Sequence, residues 1–116
     1  MGAFVITKRF TDEYKFEFTS RKGKTIFTSK GYELRFECEN EIEFIKQNLE
    51  ESTYLKFKSS GGKYFFKLII NEQVLATSRK YTTELRLQKG INEIIKYSAK
   101  AEILDFSNSD FVFPDL

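Results

Sequence analysis

The feature that most constrains the fold is an internal repetition in a chain of only 116 residues. Residues 14–18 (YKFEF) resemble 64–68 (YFFKL) at an offset of 50, and 28–32 (TSKGY) resemble 77–81 (TSRKY) at an offset of 49. Apolar positions further on keep the second offset, as in Cys38 with Leu87 and Ile42 with Ile91. Such self-similarity is typical of repeated supersecondary units. The sequence therefore predicts a tandem duplication, with repeats over residues 3–52 and 53–106.

Each repeat is predicted to begin with three strands. Tyr14, Phe16 and Phe18 alternate with polar side chains, and this period of two predicts a half-buried strand. Turn-forming residues separate the first two strands of each repeat at 11–13 (TDE) and at 59–62 (SSGG). We expect the third strands at residues 24–29 and 73–78.

The apolar period then lengthens to that of a helix. Cys38, Ile42 and Ile45 in the first repeat, like Leu87, Ile91 and Ile94 in the second, place one apolar stripe along a helix. Either of two hydroxyl residues, Thr82 and Thr83, is suited to cap the second helix. Asn40 and Gly90 predict a break within each helical segment.

Each repeat is thus predicted to be a β-β-β-α unit. One such unit buries little apolar surface, so we expect both to pack into a single compact α+β domain over residues 1–106. The expected architecture has antiparallel sheets with the helices packed on one face, followed by a C-terminal tail over 107–116. Residues 102–106 (EILDF) align with 53–57 (TYLKF), so we expect this segment to form a strand at a sheet edge.

Composition narrows the class of protein. The 19 basic and 17 acidic side chains give a net charge of only +2, too weak to recruit nucleic acid or an anionic membrane by itself. The apolar run Leu68–Ile70 is far shorter than a membrane span. The N-terminus shows no secretory signal, and one cysteine cannot form an internal disulfide, so we expect a cytoplasmic protein.

Histidine is absent and cysteine occurs once, although both are common in catalytic and metal sites. The sequence contains no histidine, which removes the commonest general base and the commonest metal ligand. A lone cysteine cannot build a zinc site, and Cys38 lies on the predicted apolar stripe, where a buried thiol is expected. We therefore expect no enzymatic activity, no catalytic residues, no cofactor and no metal.

The repeated Thr-Ser-x-x-Tyr pattern has two interpretations. In the structural one, Ser29 and Ser78 end a strand and cap the following helix, while Tyr32 and Tyr81 anchor that helix to the sheet. In the functional one, the hydroxyls line a pseudo-symmetric ligand groove. We favour the structural interpretation, because strand-end capping accounts for the spacing without a ligand.

These residues together resemble the YegP-like family, catalogued as domain of unknown function 1508. The motifs that carry the resemblance are F-x-I-x-K, Y-x-F-x-F, G-K-x-I-x-x-S-x-x-Y and I-x-x-I-K, found here at residues 4–8, 14–18, 23–32 and 42–46. The resemblance implies β-β-β-α units, often duplicated in tandem, and dimers in some members. It implies no activity, cofactor or catalytic residue.

One surface of the second repeat is predicted to bind protein. Phe65 and Ile69 lie on the strand face opposite Tyr64, and their counterparts in the first repeat are Lys15 and Thr19. A homodimer or another protein partner would cover such a patch. The alternative is cover from the chain's own tail, where Phe111 and Phe113 occur. The sequence leaves the two open.

A rival function is single-stranded nucleic-acid binding through a lysine-rich aromatic hairpin. Exposed rings could stack on bases while cations contact phosphates. The cations concerned are Arg21, Lys22, Lys24, Lys56, Lys58, Lys63 and Lys67. Because acidic and basic side chains nearly balance, we favour a small non-enzymatic module that binds protein over one that binds nucleic acid.

Overall fold

The computed structural model describes residues 2–107 of the chain. The elements are β1 (Ala3–Lys8), β2 (Tyr14–Thr19), β3 (Thr25–Ser29), α1 (Arg35–Gln47), β4 (Thr53–Lys58), β5 (Tyr64–Ile70), β6 (Gln73–Ser78), α2 (Glu84–Tyr97) and β7 (Glu102–Asp105). A short 3-10 helix follows each α-helix, at Leu49–Glu51 and at Ser98–Lys100. The order β-β-β-α therefore occurs twice before the last strand.

All seven strands form one sheet in the order β4-β5-β6-β3-β2-β1-β7. The antiparallel pairing of β3 with β6 joins the two halves at the centre, where Thr28 lies opposite Thr77. The prediction of purely antiparallel sheets is wrong, because β7 runs parallel to β1. The chain reaches β7 through α2, and a helical crossover, unlike a hairpin, permits a parallel neighbour. The fold is a compact single α+β domain with a mixed sheet.

Side chains alternate between the two faces of the sheet, so one face of β1 and β2 packs its apolar side chains into the core. Phe4 pairs with Phe18 and Ile6 pairs with Phe16, and all four are fully buried. The buried stripes of both helices belong to the same hydrophobic core, so both helices cover this face. The helical members of the core are Cys38, Ile42, Ile45, Leu87, Ile91 and Ile94.

Both helices are continuous, so the predicted breaks at Asn40 and Gly90 are wrong. Gly90 serves packing instead, because a Cβ built there would lie 2.5 Å from the Tyr81 hydroxyl. Tyr81 thereby sits against α2, as expected of an anchor. The cap of α2 is Thr83, whose Oγ1 accepts a hydrogen bond from the backbone N–H of Arg86 at 3.1 Å.

The strand-end serines do not cap helices, which corrects the sequence prediction. The backbone N–H of Phe16 donates to Ser29 Oγ at 3.0 Å, and that of Phe66 donates to Ser78 Oγ at 2.9 Å. Each serine therefore joins its strand to the neighbouring strand within the sheet. Tyr14 and Tyr32 also form a backbone bridge that Tyr64 and Tyr81 repeat in the second half.

The last strand occupies one edge of the sheet and β4 the other. Arg35 at the start of α1 donates a hydrogen bond to Asp105 Oδ2 at 3.0 Å, which fixes the end of β7 beneath the helix. Among residues 2–107, neither helix is long and apolar enough to cross a membrane.

Candidate functional site: the open face of the sheet

The face of the sheet opposite the helices is apolar in its second half. Side chains of directly paired strand residues share a face, so the pairs Phe57–Phe65 and Ile69–Val74 point away from the helices. We define the apolar patch as Leu55, Phe57, Phe65, Ile69 and Val74. Leu55 and Val74 are 48% and 46% exposed, and the other three are half-buried. Contiguous apolar side chains on an open sheet face are typical of interaction surfaces, which makes this patch a candidate site.

Two aromatic rings form the centre of the apolar patch. The rings of Phe57 and Phe65 stack across β4 and β5, with centroids 5.1 Å apart and planes inclined by 17°. The Lys67 ammonium lies 5.4 Å from the centroid of the Phe57 ring, within the range of a cation–π contact. The patch therefore combines a flat aromatic surface with one positive charge.

The first half of the same face is polar at four of the five positions that match the apolar patch, the exception being Val5. There Lys15, Glu17 and Thr19 on β2 correspond to Phe65, Lys67 and Ile69 on β5. Thr25 Oγ1 donates to Glu17 Oε1 at 3.0 Å, and the Arg9 guanidinium lies 3.6 Å from the other Glu17 oxygen. The Glu17 carboxylate is therefore paired with both Thr25 and Arg9. The apolar character is thus specific to the second half, rather than required by the strands.

The structure does not bring the seven predicted cations together. Lys56 and Lys58 lie on the helix side of β4, since they pair with Phe66 and Tyr64. Lys67 lies on the open face. Lys63 belongs to the turn between β4 and β5, and Arg21, Lys22 and Lys24 belong to the turn between β2 and β3. No single surface among these residues offers both the rings and all the cations.

Of the predicted protein interface, the structure places two residues. Phe65 and Ile69 lie on β5 within the apolar patch, while Phe111 and Phe113 lie outside the described residues. Sequence reasoning missed Leu55, Phe57 and Val74. Comparing every strand position between the two halves would have revealed Phe57 and Val74, whose counterparts Thr7 and Thr25 are polar, but not Leu55, whose counterpart Val5 is apolar.

The titratable groups in the core are held in their neutral forms. Burial, followed by the nearby Glu37 carboxylate, raises the pKa of the Cys38 thiol to about 11. Burial also raises the pKa of Tyr32, whose hydroxyl has no hydrogen-bond partner among the residues that the structure describes. Within residues 2–107, no three acidic or sulfur ligands gather in a possible metal site.

Comparison with known proteins gives a consistent set of relatives. The family described as a domain of unknown function (DUF1508) matches residues 59–105. A UPF0339 protein in the ptx operon 5' region of Stutzerimonas stutzeri is 30% identical over 92% of this chain and 98% of its own. UPF0339 protein YegP of Escherichia coli K12 is 30% identical over 80% of this chain and 86% of its own.

The fold is shared with solved structures. The solution NMR structure of yegP from E. coli, described as a protein of unknown function, has a TM-score of 0.79 at 26% identity. It covers 93% of this chain and 95% of that chain. A second NMR structure, of a UPF0339 protein from Shewanella oneidensis, also has a TM-score of 0.79.

Proposed function

The chain belongs to the UPF0339 family, and the names of the relatives compared above state no activity. We therefore propose a function from the geometry of this chain. The protein is a non-enzymatic binding module that self-associates. The apolar patch of one copy receives the aromatic segment of a second copy, residues 111–113 (FVF). The single observation that carries this proposal is the apolar patch itself.

Chain length supports a second copy over the chain's own tail. Phe65 lies on β5, five strand-to-strand steps from β7, which is about 24 Å at about 4.8 Å per step. Phe111 follows Ser107 by four residues, which span at most about 14 Å when fully extended. The backbone of Phe111 in the own tail therefore comes no nearer to β5 than about 10 Å before the length of its ring is counted, which favours a second copy as the source of the segment. A second copy has no such limit.

The distribution of charge also favours docking of the aromatic segment of a second copy on the apolar patch. The aromatic segment lies between Asp110 and Asp115, while the apolar patch carries the Lys67 cation against its ring pair. Docking two patches directly against each other would instead bring two lysines toward one apolar interface, where like charges are costly. An acidic, aromatic segment matches the patch in both charge and hydrophobicity.

We propose further that the two halves derive from a tandem duplication, and that the module acts in the cytoplasm. The duplication is supported by the repeated element order, the paired serine hydrogen bonds and the paired tyrosine bridges. In this account the second copy of the repeat acquired apolar residues where the first kept polar ones. Self-association then depends on residues that the fold itself does not need.

Light scattering of Phe65→Lys against the wild type tests the proposal. Lysine occupies the matching position in the first half, at Lys15, so the strand accepts it. We expect a dimer mass for the wild type at micromolar concentration and a monomer mass for Phe65→Lys. The matched control, Lys15→Ala, keeps the dimer. A wild-type chain that stays monomeric up to about 1 mM, a free energy of association weaker than about 4 kcal/mol, contradicts the proposal.

A further inference from the structure

A second feature, separate from the apolar patch, is a concentration of cations at one end of the sheet. A pocket of about 300 Å³ opens between the β2–β3 turn, the end of β6 and the first turns of α2. We call it the basic pocket. Its charged lining consists of Lys24, Arg79, Lys80, Arg86, Lys89 and Glu93.

Backbone hydrogen bonds build the walls of the basic pocket. The turn that carries Lys24 is closed by its carbonyl, which accepts from the Ser20 N–H at 2.8 Å. The Arg79 N–H donates to the Ile26 carbonyl at 3.1 Å, so the end of β6 is tied to β3. The α2 wall is held by the Thr83 cap. Each of the three segments that line the pocket is thus held by at least one hydrogen bond to the backbone.

The floor of the pocket is the ring of Tyr81. It is only 8% exposed and packs under Gly90, whose missing side chain makes room for it. The Arg79 guanidinium lies 5.2 Å from the centroid of this ring. That contact holds one cation at the edge of the pocket by a cation–π interaction.

The charge of the lining is not balanced locally. Five cations and one carboxylate give the pocket a charge of +4, larger than the net charge of +2 of the entire chain. None of the five cations forms an ion pair with any residue of 2–107. Like charges brought this close repel one another, and a bound anion would relieve the repulsion.

The first half of the chain does not share this feature. The positions that match Arg86, Lys89 and Gly90 are Glu37, Asn40 and Glu41. The fold therefore tolerates acidic and neutral residues at these places. Arg86 and Lys89 are therefore additions to the fold that need a separate cause, whereas Arg79 has a cationic counterpart in Lys30.

We propose that the basic pocket binds a small polyanion bearing two or more phosphate groups. Guanidinium and ammonium groups are the usual protein donors to phosphate oxygens. A volume of about 300 Å³ lies at the lower end of small-molecule sites and suits a compact ligand, not a polymer. The site is independent of self-association, since the apolar patch lies on the opposite face of the sheet from α2.

Calorimetric titration with inorganic tripolyphosphate tests the site, and adenosine triphosphate in a parallel arm separates a free polyphosphate from a nucleotide. We expect saturable one-to-one binding at low salt that weakens several-fold when salt is raised, because exposed charges are screened. Arg79→Ala and Lys89→Asn should each weaken binding about tenfold, the loss of one charge-assisted contact. Asparagine already occupies the matching position at Asn40, so folding is preserved.

The matched control is Lys30→Ala. Lys30 is the counterpart of Arg79, and its ammonium lies 5.4 Å from the centroid of the Tyr32 ring. This variant removes the same charge and a similar contact, yet should leave the affinity within twofold. An equal loss in Lys30→Ala and Arg79→Ala would overturn the site, since net charge alone would then govern binding. Absence of tripolyphosphate binding at low salt, or binding only to a single-stranded oligonucleotide, would also overturn it.

Discussion

Ser78 Oγ accepts a hydrogen bond from the buried backbone N–H of Phe66 at 2.9 Å, and donates to its neighbour's carbonyl, that of Arg79, at 2.7 Å. Ser29 makes the same two contacts in the first half, with Phe16 and Lys30. At these places the side chain replaces a strand partner in the sheet. The repeated serine is thus explained by the sheet and needs no ligand.

Ser78→Ala and Ser29→Ala should each destabilise the fold by about 1–3 kcal/mol, because each leaves a buried N–H without an acceptor. Urea denaturation measures the change, with the exposed turn residue Ser60→Ala as the control that should stay within about 0.5 kcal/mol. Equal midpoints for all three variants and the wild type would show that the serines contribute nothing to the sheet.

Gly90→Ala should lower the melting temperature, although alanine is the better helix former by about 1 kcal/mol. The added Cβ would lie 2.5 Å from the Tyr81 hydroxyl oxygen and 3.1 Å from its ring carbon, and such overpacking costs about 1–3 kcal/mol. Removing the hydroxyl in the double variant Tyr81→Phe/Gly90→Ala should restore most of the loss. A rise in melting temperature for Gly90→Ala alone would refute the close contact.

Ending the chain after Ala101 should cost several kcal/mol of the roughly 5–15 available to a domain. This truncation removes β7, exposes the edge of β1 and deletes the packing of Ile103 on the core. A chain ending after Ser107 keeps β7 and should match the wild type, when both are measured below the concentration of self-association. Equal stability of the two truncations would contradict a structural role for β7.

The pH dependence of Asp105→Asn should reveal the contact between β7 and α1. Burial alone would raise the pKa of Asp105, but hydrogen bonds from Ser107 and the Arg35 guanidinium outweigh it and lower that pKa. A lowered pKa in the folded state means that the ionised carboxylate stabilises the protein above about pH 4, the ordinary value for Asp. This stabilisation is lost as pH falls through the folded-state value.

Thermal melts of Asp105→Asn and wild type should therefore differ by one to a few degrees at pH 7, from roughly 0.2–1 kcal/mol for a solvent-exposed contact, and converge as the pH falls through the folded-state pKa. Glu102→Gln, on the exposed start of the same strand, is the control for a general loss of negative charge. A difference that is constant from pH 3 to pH 7 would show that the charge of Asp105 is not involved.

The local structure could be predicted from the sequence because local periodicity determines which side chains are buried. The alternation at Phe16 and Phe18 and the stripe through Ile42 and Ile45 identify strands and helix directly. The parallel direction of β7 could not be predicted, since a helical crossover permits either direction. Nor could the role of Ser29, because a strand-end hydroxyl can serve a helix or a neighbouring strand.

The apolar patch could be predicted in part from the sequence, whereas the basic pocket could not. Phe65 and Ile69 could be found by comparing the repeats, since their counterparts Lys15 and Thr19 are polar. The basic pocket could not be found in this way, because Lys24 and Arg86 are distant in sequence. They line the same pocket only because β3 pairs with β6. That pairing joins the two halves, and neither half shows it alone.

The most direct test of the account mixes two chains that cannot self-associate. Phe65→Lys keeps the aromatic segment and loses the apolar patch, whereas a chain ending after Ser107 keeps the patch and loses the segment. Light scattering should give a monomer mass for each alone and a heterodimer mass for the mixture, since one complete contact is restored. If the truncated chain alone remains a dimer, or if the mixture stays monomeric while the wild type dimerises, the segment does not dock on the patch.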